Sequence, residues 1–190
     1  MIYGITGRIG SGKSYVCNLM KKKYGAIIFN SDRGAKMMYD LPDIKKKICT
    51  VIDKDFYNKD GTANTKHIIN VIGKDRFKLR LLGHIIHPEV LNLFLTGCDC
   101  IYKNNKDSII VIENVILFDI GWDQYVDKTI WVNAPFSTRA KRVSARSGLD
   151  YMRTLKYMKL FPMGNTDMLK ADYVIENKGK NKIDLSFVRP

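Results

Sequence analysis

A phosphate-binding loop near the N-terminus constrains this chain more than any other feature. Residues 7–14 read GRIGSGKS, which fits the pattern G-x-x-x-x-G-K-S, and the apolar residues 1–6 before it predict a short strand. Small residues let backbone N–H groups curl around an anion, and the helix that follows points its positive end at the same charge. The sequence therefore predicts a strand, a loop and a helix that bind nucleotide phosphates.

The loop also predicts individual roles. Lys13 is expected to reach the β- and γ-phosphates of ATP, and the Ser14 hydroxyl to hold Mg²⁺. A helix is predicted over residues 15–23, ending before Gly25. A chance Gly/Ser-rich turn is the alternative, which the order of strand, loop and helix disfavours. The expected ATP-binding residues of this segment are Gly7, Gly10, Ser11, Gly12, Lys13, Ser14 and Tyr15.

Composition limits the class of protein. The chain has 190 residues, 45% of them hydrophobic, which predicts one globular domain. A net charge of +13 favours anionic partners, but the lysines are dispersed and no nucleic-acid module is recognisable. We expect an anionic nucleotide substrate, no nucleic-acid partner, no membrane span and a monomer.

Cysteine use predicts a compartment. No signal peptide is recognisable before the first predicted strand, so reduced thiols and a cytoplasmic location are expected. A metal site at Cys98 and Cys100 with His84 and His87 is disfavoured, because the C-x-C spacing is not that of a zinc knuckle. The cysteines are Cys17, Cys49, Cys98 and Cys100.

Alternating strands and helices predict an α/β fold. Short apolar runs predict four further strands at residues 26–29, 108–112, 129–132 and 171–175. With the phosphate loop, they indicate a P-loop NTPase fold: three α/β/α layers around a five-stranded parallel sheet. The predicted core is residues 1–33, 104–145 and 171–190.

A long helical segment separates the second and third strands. Residues 34–103 predict short amphipathic helices broken at Pro42, Gly61, Gly73 and Pro88, with the turn at residues 58–61 as a hinge. This segment is too long for a simple crossover, so we interpret it as an acceptor-binding insertion. Residues 146–170 are polar and predict a small helical lid.

Two further features favour a kinase over other P-loop proteins. Asp32 follows the second strand, where a carboxylate can accept a proton from an acceptor hydroxyl or orient Mg²⁺; an N-cap role is the structural alternative. Arg139, Arg142 and Arg146 share one helical face, from which cations could reach the γ-phosphate; a solvated basic face is the alternative. No N-K-x-D motif, which reads guanine in GTPases, is present.

Across nearly its whole length the chain resembles the dephospho-coenzyme A kinase family. Residues 4–14 (GITGRIGSGKS) are similar to the family's GLTGGIGSGKS, and residues 29–33 (FNSDR) resemble its I-D-A-D-[KR] segment. The other matches are Asp60-Gly61, IIHP at residues 85–88, ENVILFD at 113–119, Ala134-Pro135, Arg142-x-x-x-Arg146 and ADYVIENKG at 171–179.

The resemblance implies transfer of the ATP γ-phosphate to the ribose 3′-hydroxyl of dephospho-CoA. It implies that Asp32 is the base, that Lys13 with Arg142 or Arg146 stabilises charge, and that Asn177 lies near the adenine. The implied partners are ATP, Mg²⁺ and dephospho-CoA. His87 has a structural alternative, packing at Pro88. The implied substrate-binding residues are Asp32, Lys66, His87 and Glu113.

Four positions depart from the family pattern. Asn30 replaces an acid, Val115 replaces a proline and Leu160 stands where the lid has a glutamine. Thr65 stands where an arginine follows the D-G turn, which removes a bidentate partner for an acceptor phosphate, although Lys66 can serve as a point charge.

Two other hypotheses therefore stay open. The missing arginine would also fit a kinase with a smaller acceptor, a nucleoside or nucleotide monophosphate. The charge of +13 would also fit a nucleotide-binding regulatory protein or a nucleic-acid-binding protein.

Overall fold

Parallel strand pairing organises the N- and C-terminal parts of the chain. A computed structural model describes residues 1–148, 150–159, 167–179 and 182–189. The chain divides into two compact units, a sheet unit of Met1–Asn30 with Ile101–Pro190 and a helical unit of Ser31–Cys100. The strands are β1 (Ile2–Thr6), β2 (Ile27–Asn30), β3 (Ile110–Glu113), β4 (Lys128–Asn133) and β5 (Tyr173–Glu176).

The five strands form one sheet in the order β2-β3-β1-β4-β5, and every neighbouring pair is parallel. All five strands predicted from the apolar runs are confirmed, with ends shifted by at most two residues. The register pairs Ile5 with both Glu113 and Ile130. The carboxyl ends of the strands therefore lie along one edge, where open α/β sheets bind ligands.

The helices lie between and after the strands along the chain. The predicted first helix is longer than expected and starts at Lys13, because Gly12 in a left-handed conformation ends the loop there. The helices are α1 (Lys13–Tyr24), α2 (Ser31–Met38), α3 (Pro42–Val51), α4 (Thr65–Lys74), α5 (Arg76–Asn104), α6 (Phe136–Ser147), α7 (Tyr151–Lys159) and α8 (Asp167–Lys170), with a 3-10 turn at Trp122–Tyr125.

Branched side chains of the inner strands form the core of the sheet unit. Ile5, Ile130 and Val132 are fully buried, and Val16 and Met20 of α1 pack against them. Burial on both faces explains why these strands read as continuous apolar runs.

The C-terminal segment closes this core. Leu185 and Val188 belong to the same buried cluster, although neither lies in a helix or strand. The Tyr24 hydroxyl donates to the Leu185 carbonyl at 2.5 Å. The rings of Tyr173 and Phe187 stack with centroids 4.1 Å apart. The last residues are thus part of the folded core.

The helical unit contains four helices with a core of its own. Its largest fully buried side chains include Phe56, Ile48 and Phe94. The turn expected at residues 58–61 is present, with Gly61 at a φ of +80° and its carbonyl accepting from Lys45 Nζ at 2.7 Å.

The prediction of a helix break at Pro88 is wrong, because Pro88 lies inside α5. The break predicted at Gly73 is present one residue later, where α4 ends at Lys74 before α5 begins at Arg76. A single proline removes only one backbone hydrogen bond. Buried residues on both sides of Pro88, among them Ile86 and Val90, hold the helix continuous.

A carboxylate joins three helices of the helical unit. Asp53, just past α3, lies 3.1 Å from His67 Nε2 of α4 and 3.6 Å from Lys78 Nζ of α5. The Asp55 backbone N–H donates to the same carboxylate. This hydrogen bond, with those of His67 and the nearby cations, lowers the pKa of Asp53.

All four cysteines lie among the described residues and are free thiols. Over the same residues, no helix is long and apolar enough to span a membrane, and no cluster of three or more His, Cys, Asp or Glu side chains could hold a metal.

The C-terminal segment should contribute to global stability. Leu185→Ala should lower the free energy of unfolding by about 2 to 5 kcal/mol, because it leaves a cavity at a 2% exposed position. The matched control, Leu169→Ala at an 81% exposed position, should change it by less than about 0.5 kcal/mol. Urea denaturation measures both, and equal effects would contradict a structural role for the segment.

The Asp53 contacts predict a pH-dependent difference in stability. The folded-state pKa of Asp53 lies below the unfolded value, so its contribution is present above about pH 4 and is lost as pH falls through the lowered pKa. Asp53→Asn should therefore lower the unfolding free energy by about 0.5 to 1 kcal/mol at pH 7. Chemical denaturation of both proteins should show this difference shrinking as the pH falls below about 4, and a difference independent of pH would contradict the assignment.

Candidate active site

The loop between β1 and α1 has the backbone of a phosphate cradle. Gly7, Gly10 and Gly12 have φ values of +140°, +78° and +97°. A Cβ at Gly7 would collide with the Val132 carbonyl oxygen of β4, and one at Gly12 would collide with the Asn177 side-chain nitrogen. Glycine is therefore required at both positions by conformation and by space.

A buried cation lies at the base of the loop. Lys13 is 7% exposed, and its Nζ donates to the carbonyls of Gly7 at 2.9 Å and Arg8 at 3.4 Å. The Ser11 hydroxyl is buried and has no hydrogen-bond partner within the described part of the chain. A buried ammonium and an unsatisfied hydroxyl in a glycine-lined loop fit phosphate oxygens as ligands.

Ser14 belongs to a network of oxygen and amide groups at the strand ends. Its hydroxyl donates to Glu113 Oε1 at 2.6 Å, and Asn30 Nδ2 donates to Glu113 Oε2 at 3.0 Å. The register places Asn30 beside Glu113 on neighbouring strands. Hydroxyl and carboxylate oxygens are the ligands that Mg²⁺ prefers, so this pair fits a metal carried by a nucleotide.

Two arginines of α6 donate hydrogen bonds to backbone carbonyls of the loop. Arg142 Nη1 donates to Ser11 O at 3.0 Å and to Gly10 O at 3.3 Å. Arg139 donates through Nη1 to Ile9 O at 3.4 Å and through Nε to Ala134 O at 3.2 Å. Burial, and to a lesser extent the charge of Arg8, lowers the pKa of Arg139. Positive charge therefore lies on both sides of the loop backbone.

Asn177 contacts the phosphate loop directly. It is 4% exposed and follows β5, and its backbone N–H donates to Asn133 O at 2.7 Å. Its side-chain Nδ2 donates to Ser11 O at 2.9 Å, while its Oδ1 accepts from Arg142 at 3.1 Å.

The remaining predicted residues of the sheet unit are exposed. Tyr15 is 55% exposed in the first turn of α1, and Arg146 is exposed in the last turn of α6. Of the residues predicted from sequence, this unit therefore contains the whole phosphate loop, Glu113, Arg142, Arg146 and Asn177.

The helical unit contains Asp32, Lys66 and His87. Asp32 is exposed in the first turn of α2, inside the helix and not at its cap, and it has no partner among the described residues of its unit. Lys66 is exposed in the first turn of α4. Thr65 begins α4, but its side chain is outside what the structure describes, and Leu160 also lies outside the described residues.

His87 packs against the preceding turn of its own helix. A Cβ at Gly83 would lie 2.9 Å from His87 Cε1, so the ring occupies the space that the glycine leaves. Burial, followed by the charge of His84, lowers the pKa of His87. The ring is therefore neutral at pH 7 and suited to hydrogen bonding rather than to charge pairing.

Sequence reasoning missed the contacts of two residues. Asn30 was interpreted only as a departure from a family pattern, and Arg139 only as one member of a basic face, although both bind groups of the loop region. For Asn30 a signal existed, since it ends the strand next to the one that ends in Glu113. No local pattern indicates the partner of Arg139.

Comparison with known proteins shows which family this chain matches. The family model for dephospho-CoA kinase matches residues 1–182. A dephospho-CoA kinase of Moorella thermoacetica is 32% identical over 189 residues, which cover 99% of this chain and 89% of that protein.

Solved structures support the fold. A crystal structure from Thermus thermophilus has a TM-score of 0.77 and 27% identity, covering 95% of this chain and 90% of that one. Dephospho-CoA kinase from Campylobacter jejuni has a TM-score of 0.58 and 17% identity, covering 94% and 89%, and supports the fold alone. The predicted three-layer P-loop fold is confirmed.

The Asn30–Glu113 hydrogen bond predicts a metal-dependent change in stability. Asn30→Asp replaces a donor by a second carboxylate, which should lower the unfolding free energy by about 1 to 3 kcal/mol in EDTA. Mg²⁺ should then raise the melting temperature of this variant more than that of the wild type, because the added charge binds the cation. Asn30→Ala, which lacks that charge, should show no enhanced response. An Asn30→Asp protein that is as stable as wild type in EDTA would contradict the network.

Proposed function

Because the chain belongs to the dephospho-CoA kinase family, we propose that it transfers the γ-phosphate of ATP to the ribose 3′-hydroxyl of dephospho-CoA, the last step of coenzyme A synthesis. The observation that carries the proposal is the phosphate loop, with Lys13 buried beneath it and Ser14 bonded to Glu113, in a chain that the family model spans almost completely. Its products are ADP and coenzyme A.

The donor half of the proposed site is the loop with its cations. Backbone N–H groups from Gly7 to Tyr15 bind the ATP phosphates, and Lys13 exchanges its bonds to the Gly7 and Arg8 carbonyls for phosphate oxygens. Ser14, with Glu113 beside it, would hold Mg²⁺, which neutralises charge on the β- and γ-phosphates. Asn177 and Arg142 bind the Ser11 carbonyl of the same loop.

The acceptor half of the proposed site is carried by the helical residues 34–103. Asp32 accepts the proton of the 3′-hydroxyl as its oxygen attacks the γ-phosphorus and ADP departs. Support comes from the Asp32 carboxylate, which is exposed and forms no hydrogen bond or ion pair with the described residues of its unit. His87 and Lys66 contribute a neutral donor and a point charge to acceptor binding, and Glu113 is the remaining predicted substrate-binding residue.

The proposed lid, residues 146–170, begins with Arg146. This guanidinium is exposed at the end of α6, so it can reach the transferred phosphoryl group and stabilise its charge. The rest of the chain, residues 1–33, 104–145 and 171–190, forms the core of one P-loop kinase domain. Free thiols fit a reducing, cytoplasmic compartment, where a monomer would act on small molecules and not on nucleic acid.

The proposal predicts acceptor-dependent ATP turnover. With Mg²⁺-ATP, the protein should release ADP in proportion to added dephospho-CoA, and Asp32→Asn should lower kcat by roughly 100- to 10,000-fold while ATP binding is retained. Asp99→Asn, at an exposed carboxylate of the same helical unit, is the matched control and should keep full turnover.

A coupled ADP-release assay with dephospho-CoA and a panel of nucleoside monophosphates measures this prediction. ADP release without dephospho-CoA at the same rate would overturn the proposal. Faster turnover of a monophosphate would assign the alternative, a nucleotide monophosphate kinase, to which the Thr65 departure points.

A further inference from the structure

Arg142 is embedded in the sheet unit and not extended into solvent. Its guanidinium donates to two loop carbonyls, Gly10 O and Ser11 O, and to both oxygens of Asn177. A Cβ at Gly179 would lie 3.3 Å from Nη2, so this glycine leaves room for the group. To reach the γ-phosphate, the side chain would have to break all of these hydrogen bonds.

Asn177 and Arg142 hold the same carbonyl oxygen. Ser11 O accepts from Asn177 Nδ2 at 2.9 Å and from Arg142 Nη1 at 3.0 Å, and the two side chains are joined by the bond from Arg142 to Asn177 Oδ1 at 3.1 Å. One peptide oxygen is thus bound by two donors that also bind each other.

That oxygen determines the direction of one N–H group. The Ser11–Gly12 peptide is trans, as no cis peptide bond occurs in the described chain, so its N–H points away from its carbonyl. The Gly12 N–H donates to none of the described residues, whereas the N–H of the preceding peptide, on Ser11, donates to Arg8 O within the loop. Because the Ser11 carbonyl is held toward Asn177 and Arg142, the Gly12 N–H points the opposite way, to the side of the loop on which we expect the phosphates.

We propose that Asn177 and Arg142 are positioning residues for the ATP phosphates, which clamp the Ser11–Gly12 peptide so that its N–H is preorganised for the anion. This inference rests on the proposed function only in taking ATP as the donor. It replaces the expected adenine contact of Asn177 and the expected transfer-step role of Arg142, and leaves Arg146 as the arginine that can move.

The close approach of the Asn177 side chain to Gly12 also constrains this contact. A Cβ at Gly12 would collide with the Asn177 side-chain nitrogen, so the glycine in the loop and the asparagine after β5 require each other. Ile9 packs against Ala140 and Val143 of α6, which fixes the other end of the same loop segment. The loop is therefore fixed both by packing and by hydrogen bonds.

Ligands that carry only part of ATP separate the two possible roles of Asn177. We would measure the affinities of wild type, Asn177→Ala and Asn177→Asp for inorganic tripolyphosphate and for adenosine, by displacement of a fluorescent ATP analogue. Loss of the Asn177 hydrogen bonds should lower the affinities for tripolyphosphate and ATP roughly 10-fold relative to wild type, and should leave the affinity for adenosine within about twofold. Asn177→Asp should be at least as weak as Asn177→Ala, because it sets a carboxylate against the Ser11 carbonyl.

Asn133→Ala is the matched control. Asn133 ends the neighbouring strand and bonds to Glu176 through its side chain, while its contact with Asn177 is made by its backbone. It should bind tripolyphosphate like the wild type. Arg142→Lys keeps the positive charge but loses the paired N–H donors of the guanidinium. Because Arg142 and Asn177 bind the same carbonyl oxygen, the losses of tripolyphosphate affinity in Arg142→Lys and Asn177→Ala should not add in the double variant. Arg142→Lys alone should also weaken the affinity for tripolyphosphate more than that for adenosine, so it tests the clamp even if the Asn177 variants fold poorly.

Each result decides the proposal. Selective loss of tripolyphosphate binding supports it. Loss of adenosine binding alone would assign Asn177 to the base and overturn the proposal, as would unchanged affinities or equal loss of all ligands. Additive effects of Arg142→Lys and Asn177→Ala would also overturn it. A wild type that binds ATP and tripolyphosphate but leaves dephospho-CoA unmodified would overturn the proposed function and not the clamp.

Discussion

Parallel pairing of the five strands is the constraint on which the rest of the sheet unit depends. Because every neighbouring pair is parallel, the strands end at one edge, and the polar residues that close them are brought together there. Asn30 and Glu113 come from neighbouring strands in this way, and Asn133 and Glu176 form a second such pair. The interior of the sheet is apolar, so chemistry is confined to this edge and to the loop after β1.

The loop after β1 concentrates positive charge around its backbone. Lys13 bonds the carbonyls of Gly7 and Arg8, while Arg139 and Arg142 bond those of Ile9, Gly10 and Ser11. Each cation thereby satisfies a loop carbonyl. Carbonyls bonded by cations and the nearby positive charge together favour an anion on the N–H side of the loop.

The strands and the loop could be predicted because local sequence determines them. Runs such as residues 108–112 are apolar and β-branched, and the loop has a defined pattern of glycines. The contacts of Arg142 could not, since its partners Ser11 and Asn177 lie 131 and 35 residues away in the chain. Pro88 was misjudged for a related reason: buried neighbours such as Ile86 and Val90 outweigh a local signal for a helix end.

The Asn30 departure from the family pattern is best understood together with Glu113, which ends the neighbouring strand. The Glu113 carboxylate accepts from the Ser14 hydroxyl with one oxygen and from the Asn30 amide with the other. An aspartate at position 30 would place like charges in contact, whereas the amide satisfies the carboxylate and leaves a single negative charge beside Ser14. The amide at position 30 therefore fits a carboxylate–hydroxyl pair in which Glu113 is the one charged member.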